Sequence, residues 1–202
     1  MRDLRARLTA TIVWLALLHP ETAGAEPQTY VLDKPYTNVT FVWNHLGLSR
    51  QSARILDVDG TLVFDPEKPE DSTIEVTMKP QSIVTGVGEF DRQLKGPDYF
   101  DVARFPTIVF RGREVTRTGE KTGLLAGDLT IRGITRPVAL SVTLNFLGEH
   151  PLGPLNAIYL DKFVAGFSAR AKINRSEWEL KRGTPLVSDE IEISIETELV
   201  RK

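Results

Sequence analysis

Val138-Ala139-Leu140-Ser141-Val142-Thr143-Leu144-Asn145-Phe146 decides the fold class, because a large apolar residue stands at every second position. A period of two places Val138, Leu140, Val142, Leu144 and Phe146 on one face of an extended strand and leaves the other face to water. The same alternation appears in Val39, Phe41, Trp43 and His45, in Leu62 with Phe64, and in Ile74, Val76 and Met78 against Glu75, Thr77 and Lys79. It returns in Ile108 with Phe110, in Leu129 with Ile131, in Phe163, Ala165, Phe167, Ala169, Ala171 and Ile173, and in Ile191, Ile193 and Ile195 between glutamates. Strands with one dry face, separated by Gly, Pro and Asp turns and without intervening helical repeats, predict an all-β antiparallel fold. About eight strands are expected. Closing them into an up-and-down barrel removes exposed edges and leaves an interior wide enough for side chains or one small ligand.

One segment departs from this period. Gly88 to Lys95 predicts a short helix with Phe90 and Leu94 on one side, stopped by Gly96-Pro97 and followed by a turn carrying Tyr99, Phe100 and Val102. Its simplest place is a plug over one barrel mouth.

The N-terminus carries Arg2, Arg5 and Arg7, an eleven-residue apolar run from Leu8 to Leu18, and then Ala23-Gly24-Ala25. That order of charged, apolar and small residues predicts a cleavable secretory signal over 1–25, leaving a single domain over 26–202. The apolar run is shorter than the roughly 17–25 residues of a spanning helix. Removal of the signal takes three of the 25 basic and two of the 27 acidic residues, so the remainder carries a charge of about minus three. This near balance supplies no basic footprint for nucleic acid. Zero cysteines exclude disulfides, thiol chemistry and cysteinyl metal sites, so the core alone must hold the domain. A transmembrane barrel is disfavoured because several strands place Glu, Lys and Thr on the face that would meet lipid, and no aromatic girdle is visible.

Several motifs in order resemble the YceI-like family of bacterial periplasmic proteins: Val39-Thr40-Phe41-Val42-Trp43-Asn44-His45-Leu46-Gly47, Gly60-Thr61-Leu62-Val63-Phe64-Asp65, and Asp91-Arg92-Gln93-Leu94-Lys95-Gly96-Pro97-Asp98-Tyr99-Phe100-Asp101. Phe105-Pro106-Thr107-Ile108-Val109-Phe110 and Gly127-Asp128-Leu129-Thr130-Ile131-Arg132-Gly133-Ile134-Thr135-Arg136-Pro137-Val138 extend the match. The resemblance implies a lipocalin-like antiparallel barrel, a periplasmic location and, in its interior, a polyisoprenoid, isoprenoid quinone or other long-chain lipid. It also admits a homodimer. The chain departs from the family pattern at Tyr36-Thr37, at Ala53 and Ile55, and at Glu179, where the pattern has glycine after an Arg-x-x-aromatic element that stands here as Arg175-Ser176-Glu177-Trp178.

Strand parity nominates Phe41, Trp43, Phe64, Leu129, Ile131, Phe110, Phe146 and Phe167 as interior positions that either line a ligand cavity or fill a solid core. Ala169, with Ala165 and Ala171, either leaves room for a lipid chain or lets aromatic neighbours interdigitate. His45, at a strand end, offers a hydrogen bond to a head group or to neighbouring backbone, and Arg175 a charge-assisted donor or an ordinary ion pair. No constellation for catalysis emerges. The sequence contains three histidines, of which His19 belongs to the expected signal, and it has no Gly-x-Ser-x-Gly elbow, paired-histidine motif or phosphate-cradling glycine loop. The expected function is a non-catalytic lipid carrier needing no cofactor. Two alternatives stand beside it: a filled-core stress-response interaction protein, and an enzyme acting on a lipid head through His45, Asp91 and Arg175.

Overall fold

The computed structural model describes residues 26–202, so the expected signal over 1–25 lies outside the described residues. The strands are β1 (Gln28–Leu32), β2 (Asn38–His45), β3 (Ser49–Ile55), β4 (Val58–Phe64), β5 (Thr73–Met78), β6 (Ile83–Val84), β7 (Ile108–Arg117), β8 (Thr122–Ile131), β9 (Ile134–Glu149), β10 (Phe163–Asn174) and β11 (Glu190–Arg201). The helix α1 spans Gly88–Lys95, the stretch its periodicity marks out.

These eleven strands form eight barrel staves. β1 and β2 both pair with β11, through Leu32 opposite Leu199 and Val39 opposite Ile195, and are two parts of one stave. On their other side β1 meets β4 while β2 meets β3, and β4 in turn meets β5 while β3 meets β6. Every pairing is antiparallel, each stave lies beside its neighbour in sequence, and the β1–β2 stave closes the ring on β11. The lipocalin-like barrel of about eight strands is therefore present, and closure leaves no long unpaired edge.

Three staves break at one level, and the residues there explain why. Pro35 and Pro80 sit in short 3₁₀ turns, where the missing N–H ends the ladder. Ser82 Oγ accepts from the amides of Leu56 and Asp57 at the third break, at 3.1 and 2.8 Å. The Asp57 carboxylate then takes both Lys34 (3.3 Å) and Lys79 (3.1 Å), one lysine from each neighbouring break. These two partners, Lys79 foremost, hold its carboxyl below the usual aspartate range.

The connections sort to two ends. The plug end carries the β2–β3 hairpin, the 85–107 connection with α1, the Arg132-Gly133 turn and the 175–189 connection. Arg132 and Gly133 both have positive φ, 51° and 74°, as a two-residue hairpin turn requires. The far end carries the β4–β5 loop, the β7–β8 turn and the 150–162 connection. Cross-strand ion pairs cover the outer wall, including Arg111–Glu75 (3.0 Å), Arg170–Glu196 (3.1 Å) and Lys172–Glu190 (2.8 Å). A membrane-spanning barrel carries an apolar band in that place. No described helix is long and apolar enough to cross a membrane.

Candidate binding cavity

The barrel is hollow. A continuous cavity of 660 Å³ runs inside it, reached from the plug end by Phe90, Leu94, Tyr99 and Phe100 and from the far end by Pro66, Arg117 and Lys121. Engineered voids of about 150 Å³ already stay empty in otherwise packed cores and admit benzene, and small-molecule sites span roughly 300–1,000 Å³. A filled core has no counterpart to this space.

Most of the expected interior positions line it. Phe41 and Trp43 stack at 5.8 Å, and Phe100 of the plug meets Phe41 edge-on at 5.9 Å, so α1 and the turn after it close the cavity as a stopper. At the other end Phe64 meets Phe167 at 5.7 Å, nearly perpendicular, and Tyr30 at 6.4 Å. Phe110, Leu129 and Ile131 are buried along the wall between. Phe110 lies over Gly127, where a Cβ would stand 2.5 Å from its Cζ, so this glycine is what lets the ring lie against the wall. Ala169 is buried and lines the cavity, with Val142 and Ile195 beside it on the flanking strands.

Phe146 is a correction. It does not line the cavity and is 41% exposed. Opposite β10 the register jumps from Gly166–Phe146 to Phe167–Leu144, leaving Asn145 as an unpaired extra residue. Such a bulge reverses which side chains face in. Leu144 remains inside, Phe146 turns out over Gly148 and Gly166, and Leu147 packs against the inner cluster of Tyr30, Leu62 and Leu199.

Arg175 reaches the cavity wall, yet its donors are directed elsewhere. It is buried, and its guanidinium donates to the carbonyls of Ser188 (2.9 Å), Val187 (3.0 Å) and Leu180, and to Thr184 Oγ1 (2.8 Å). It thereby gathers the 175–189 connection around one cation. Burial lowers its pKa, while Tyr99 and Asp189 support the charged form. His45 ends β2 at the plug-end rim, exposed, with a backbone bridge to Val187. Asp91 accepts from the Thr85 amide and hydroxyl, both at 2.6 Å, and so ties α1 to its entry turn rather than facing a ligand. Those hydrogen bonds lower its pKa. No hydrogen bond among the described residues joins the side chains of His45, Asp91 and Arg175 to one another, although His45 and Arg175 both contact the backbone of Val187, and among the described residues no three His, Asp or Glu side chains gather as metal ligands do.

Two lining groups escape sequence reading. Arg117 faces in because a bulge at Arg113, between Gly112–Gly127 and Glu114–Ala126, shifts the parity of the end of β7. Ser72 stands one residue before β5 in the parity of Ile74, Val76 and Met78, but a lone serine carries no apolar signal that would mark it as wall.

The whole barrel, residues 30–199, matches the model of the YceI-like domain. The chain belongs to the YceI-like domain family. Among similar proteins, a UPF0312 protein of Pseudomonas savastanoi pv. phaseolicola is 35% identical over 98% of this chain and 99% of its own length. A UPF0312 protein of Photorhabdus laumondii is 33% identical over the same shares. The Campylobacter jejuni YCEI protein superposes with a TM-score of 0.69 at 27% identity, over 79% of this chain and 90% of that one. Burkholderia cenocepacia BcnA (TM-score 0.71, 22% identity, 83% and 98% coverage) shares the fold. So does a polyisoprenoid binding domain from Saccharophagus degradans (0.63, 13%, 87% and 99%). The sequence resemblance to YceI-like proteins is thus established across the barrel.

Proposed function

We propose that this YceI-like protein is a non-catalytic carrier that holds the chain of an isoprenoid, quinone-like or other long-chain lipid inside the barrel, working in the periplasm. The observation that carries the reading is the 660 Å³ cavity, whose wall is almost wholly aliphatic and aromatic from one end to the other. Each methylene transferred from water into such a wall contributes about 0.8 kcal/mol, so ten contribute about 8 kcal/mol before association and ordering costs are subtracted. That supports reversible carriage. The fold shared with a domain described as binding polyisoprenoids agrees with the ligand class. The reading requires no bond-making step. Periplasmic location rests on the charged, apolar and small-residue order of residues 1–25.

Native mass spectrometry of the protein purified from a bacterial periplasm, followed by organic extraction, tests this directly. A stoichiometric long-chain lipid is the expected result. A clean apo mass that stays unchanged after incubation with polyprenyl and acyl lipids would overturn the reading.

A further inference from the structure

Apolar side chains scattered singly over a surface call for no explanation, but a group of them around one opening does. Leu48 and Leu186 are 81% and 71% exposed, and Leu46, Val87 and Phe90 are exposed as well. The backbone brings them to the same end of the barrel. Leu46 and Leu48 stand at the tip of the β2–β3 hairpin, and the Leu46 amide donates to the Leu186 carbonyl at 3.0 Å. β6 pairs with β3 through Ile83 opposite Ile55 and Val84 opposite Arg54, so the chain runs beside β3 toward that tip before Val87 caps α1 and Phe90 enters it.

The same elements frame a mouth of the cavity. His45 of the hairpin, Phe90 and Gln93 of α1, and Arg182 of the 175–189 connection line the cavity and are themselves exposed, so its wall runs out to the surface between them. Phe90 belongs to both regions and carries the apolar track from the outer surface inward. No hydrogen bond among the described residues joins α1 to the β2–β3 hairpin, whereas the far opening is strapped by Arg117, which donates to the Pro66 carbonyl at 3.1 Å. The 150–162 connection at the far end also exposes Leu155 and Ile158, but none of its residues lines the cavity.

Charge and shape select what fits against this end. Arg50 pairs with Glu192, Arg92 with Glu89, Lys181 with Glu179 (2.9 Å) and Arg182 with Asp98 (2.7 Å), so these four cations are answered locally and set up no positive field for an anionic partner. A second copy of the chain would need about 800 Å² of matching face on each side, whereas the apolar groups here stand on separate elements around a hole. A neutral phospholipid layer needs no matching face and accepts such groups at its head-group boundary.

We propose that the plug end docks on a zwitterionic phospholipid surface: Leu46, Leu48 and Leu186 enter the head-group layer beside Val87 and Phe90, and a lipid chain passes between α1 and the β2–β3 hairpin into the cavity without crossing water. This deepens the lipid-binding reading and rests on it.

The test compares the wild type with Leu48→Gln/Leu186→Gln and with a matched far-end pair, Leu155→Gln/Ile158→Gln. All four side chains lie mostly in solvent and none lines the cavity, so both variants should fold. Three quantities are measured: affinity for a water-soluble short acyl probe, flotation with phosphatidylcholine vesicles, and transfer of a fluorescent long-chain lipid between vesicles. The wild type is expected to bind the probe, float with the vesicles and transfer lipid at a rate that rises with vesicle concentration. The plug-end pair should keep probe affinity within about twofold while losing vesicle binding and transfer by about tenfold or more, the yield of a leucine carried out of water, and the far-end pair should change none of the three. Vesicle binding and transfer retained by the plug-end pair, or lost in the far-end pair instead, would overturn the assignment. So would flotation that requires phosphatidylglycerol and vanishes at high salt, or a two-copy mass in solution that the plug-end pair returns to one. Probe binding without vesicle binding in the wild type would overturn the docking surface and leave the lipid-binding reading standing, whereas failure to bind the probe would bring down both.

Discussion

Ala169→Phe distinguishes a hollow barrel from a filled one by the sign of its effect. Ala169 points inward between Val142 and Ile195 and borders the cavity. The substitution adds about 100 Å³ of side chain, and at about 24 cal/mol per Å³ of cavity removed, filling that volume stabilises the lipid-free protein by up to about 2 kcal/mol. For a domain of this length each kcal/mol moves the melting temperature by about 2–4 °C, so a rise of about 4–8 °C is expected in the stripped protein. The ring takes the room of about three or four methylenes, and at about 0.8 kcal/mol each a long chain binds about a hundredfold more weakly. In a filled core the same ring would overpack and cost about 1–3 kcal/mol. Differential scanning calorimetry of delipidated protein, paired with titration of an acyl probe, reads both effects. A lower melting temperature with unchanged chain affinity would refute the reasoning.

Arg175→Lys keeps the charge but loses the planar fork that serves Leu180, Thr184, Val187 and Ser188; a loss of about 2–3 kcal/mol is expected in the urea midpoint, with faster amide exchange confined to the 175–189 connection. Glu179 has a φ of 61°, the left-handed region, so Glu179→Gly should raise stability by up to about 1 kcal/mol in the same measurement, less the exposed pair with Lys181. Phe146→Ser should leave acyl-probe affinity within about twofold, since the bulge turns the ring outward; a tenfold loss would show that the ring faces the ligand after all. Asp57 has a folded pKa below its unfolded value of 3.8, with Lys79 and Lys34 as the cause, so its contribution is full above that value and is lost as pH falls through the lower folded one. Asp57→Asn should therefore flatten the acid limb of melting temperature against pH, and an unchanged limb would count against a stabilising role for the Asp57 pairs with Lys34 and Lys79.

The barrel was legible because its information is local. One-sided alternation in β2, β5, β8 and β11 states which face is dry without reference to any partner strand, and Gly96-Pro97 states where α1 must stop. The exceptions arise where parity depends on pairing. The run through Phe146 reads as one uninterrupted strand, and nothing in its composition announces that Asn145 will be left unpaired opposite Gly166. The inward turn of Arg117 has the same origin, since Arg113 is indistinguishable from a ladder residue until β8 lies beside it. Arg175 misleads for another reason: an arginine near a mouth can serve a ligand or a loop, and only the positions of four oxygens from 180 to 188 decide between them. The family glycine replaced by Glu179 was visible as a departure, but its positive φ, and hence its cost, was not.

Why this barrel is hollow follows from one oblique row of inward positions. Pairing leads from Ile83 to Ile55, Val39, Ile195, Ala169, Val142, Gly123 and Arg117, crossing β6, β3, β2, β11, β10, β9, β8 and β7 in turn. The register stagger of a closed barrel makes such a row climb from the plug end to the far end. It contains no aromatic residue, and its steps at Ala169 and Gly123 present almost no side chain. Aromatic groups stand on either side of it instead, with Phe41, Trp43 and Phe100 toward the plug and Tyr30, Phe64 and Phe167 toward the far end. Side chains of uniform size would meet across an eight-staved interior and fill it. Gathering most of the aromatic rings toward the two ends, with Phe110 laid against the wall over Gly127, and running a row of aliphatic residues broken by Ala169 and Gly123 obliquely between them leaves a continuous path, so the volume that accepts a chain is written into the same alternation that closes the barrel.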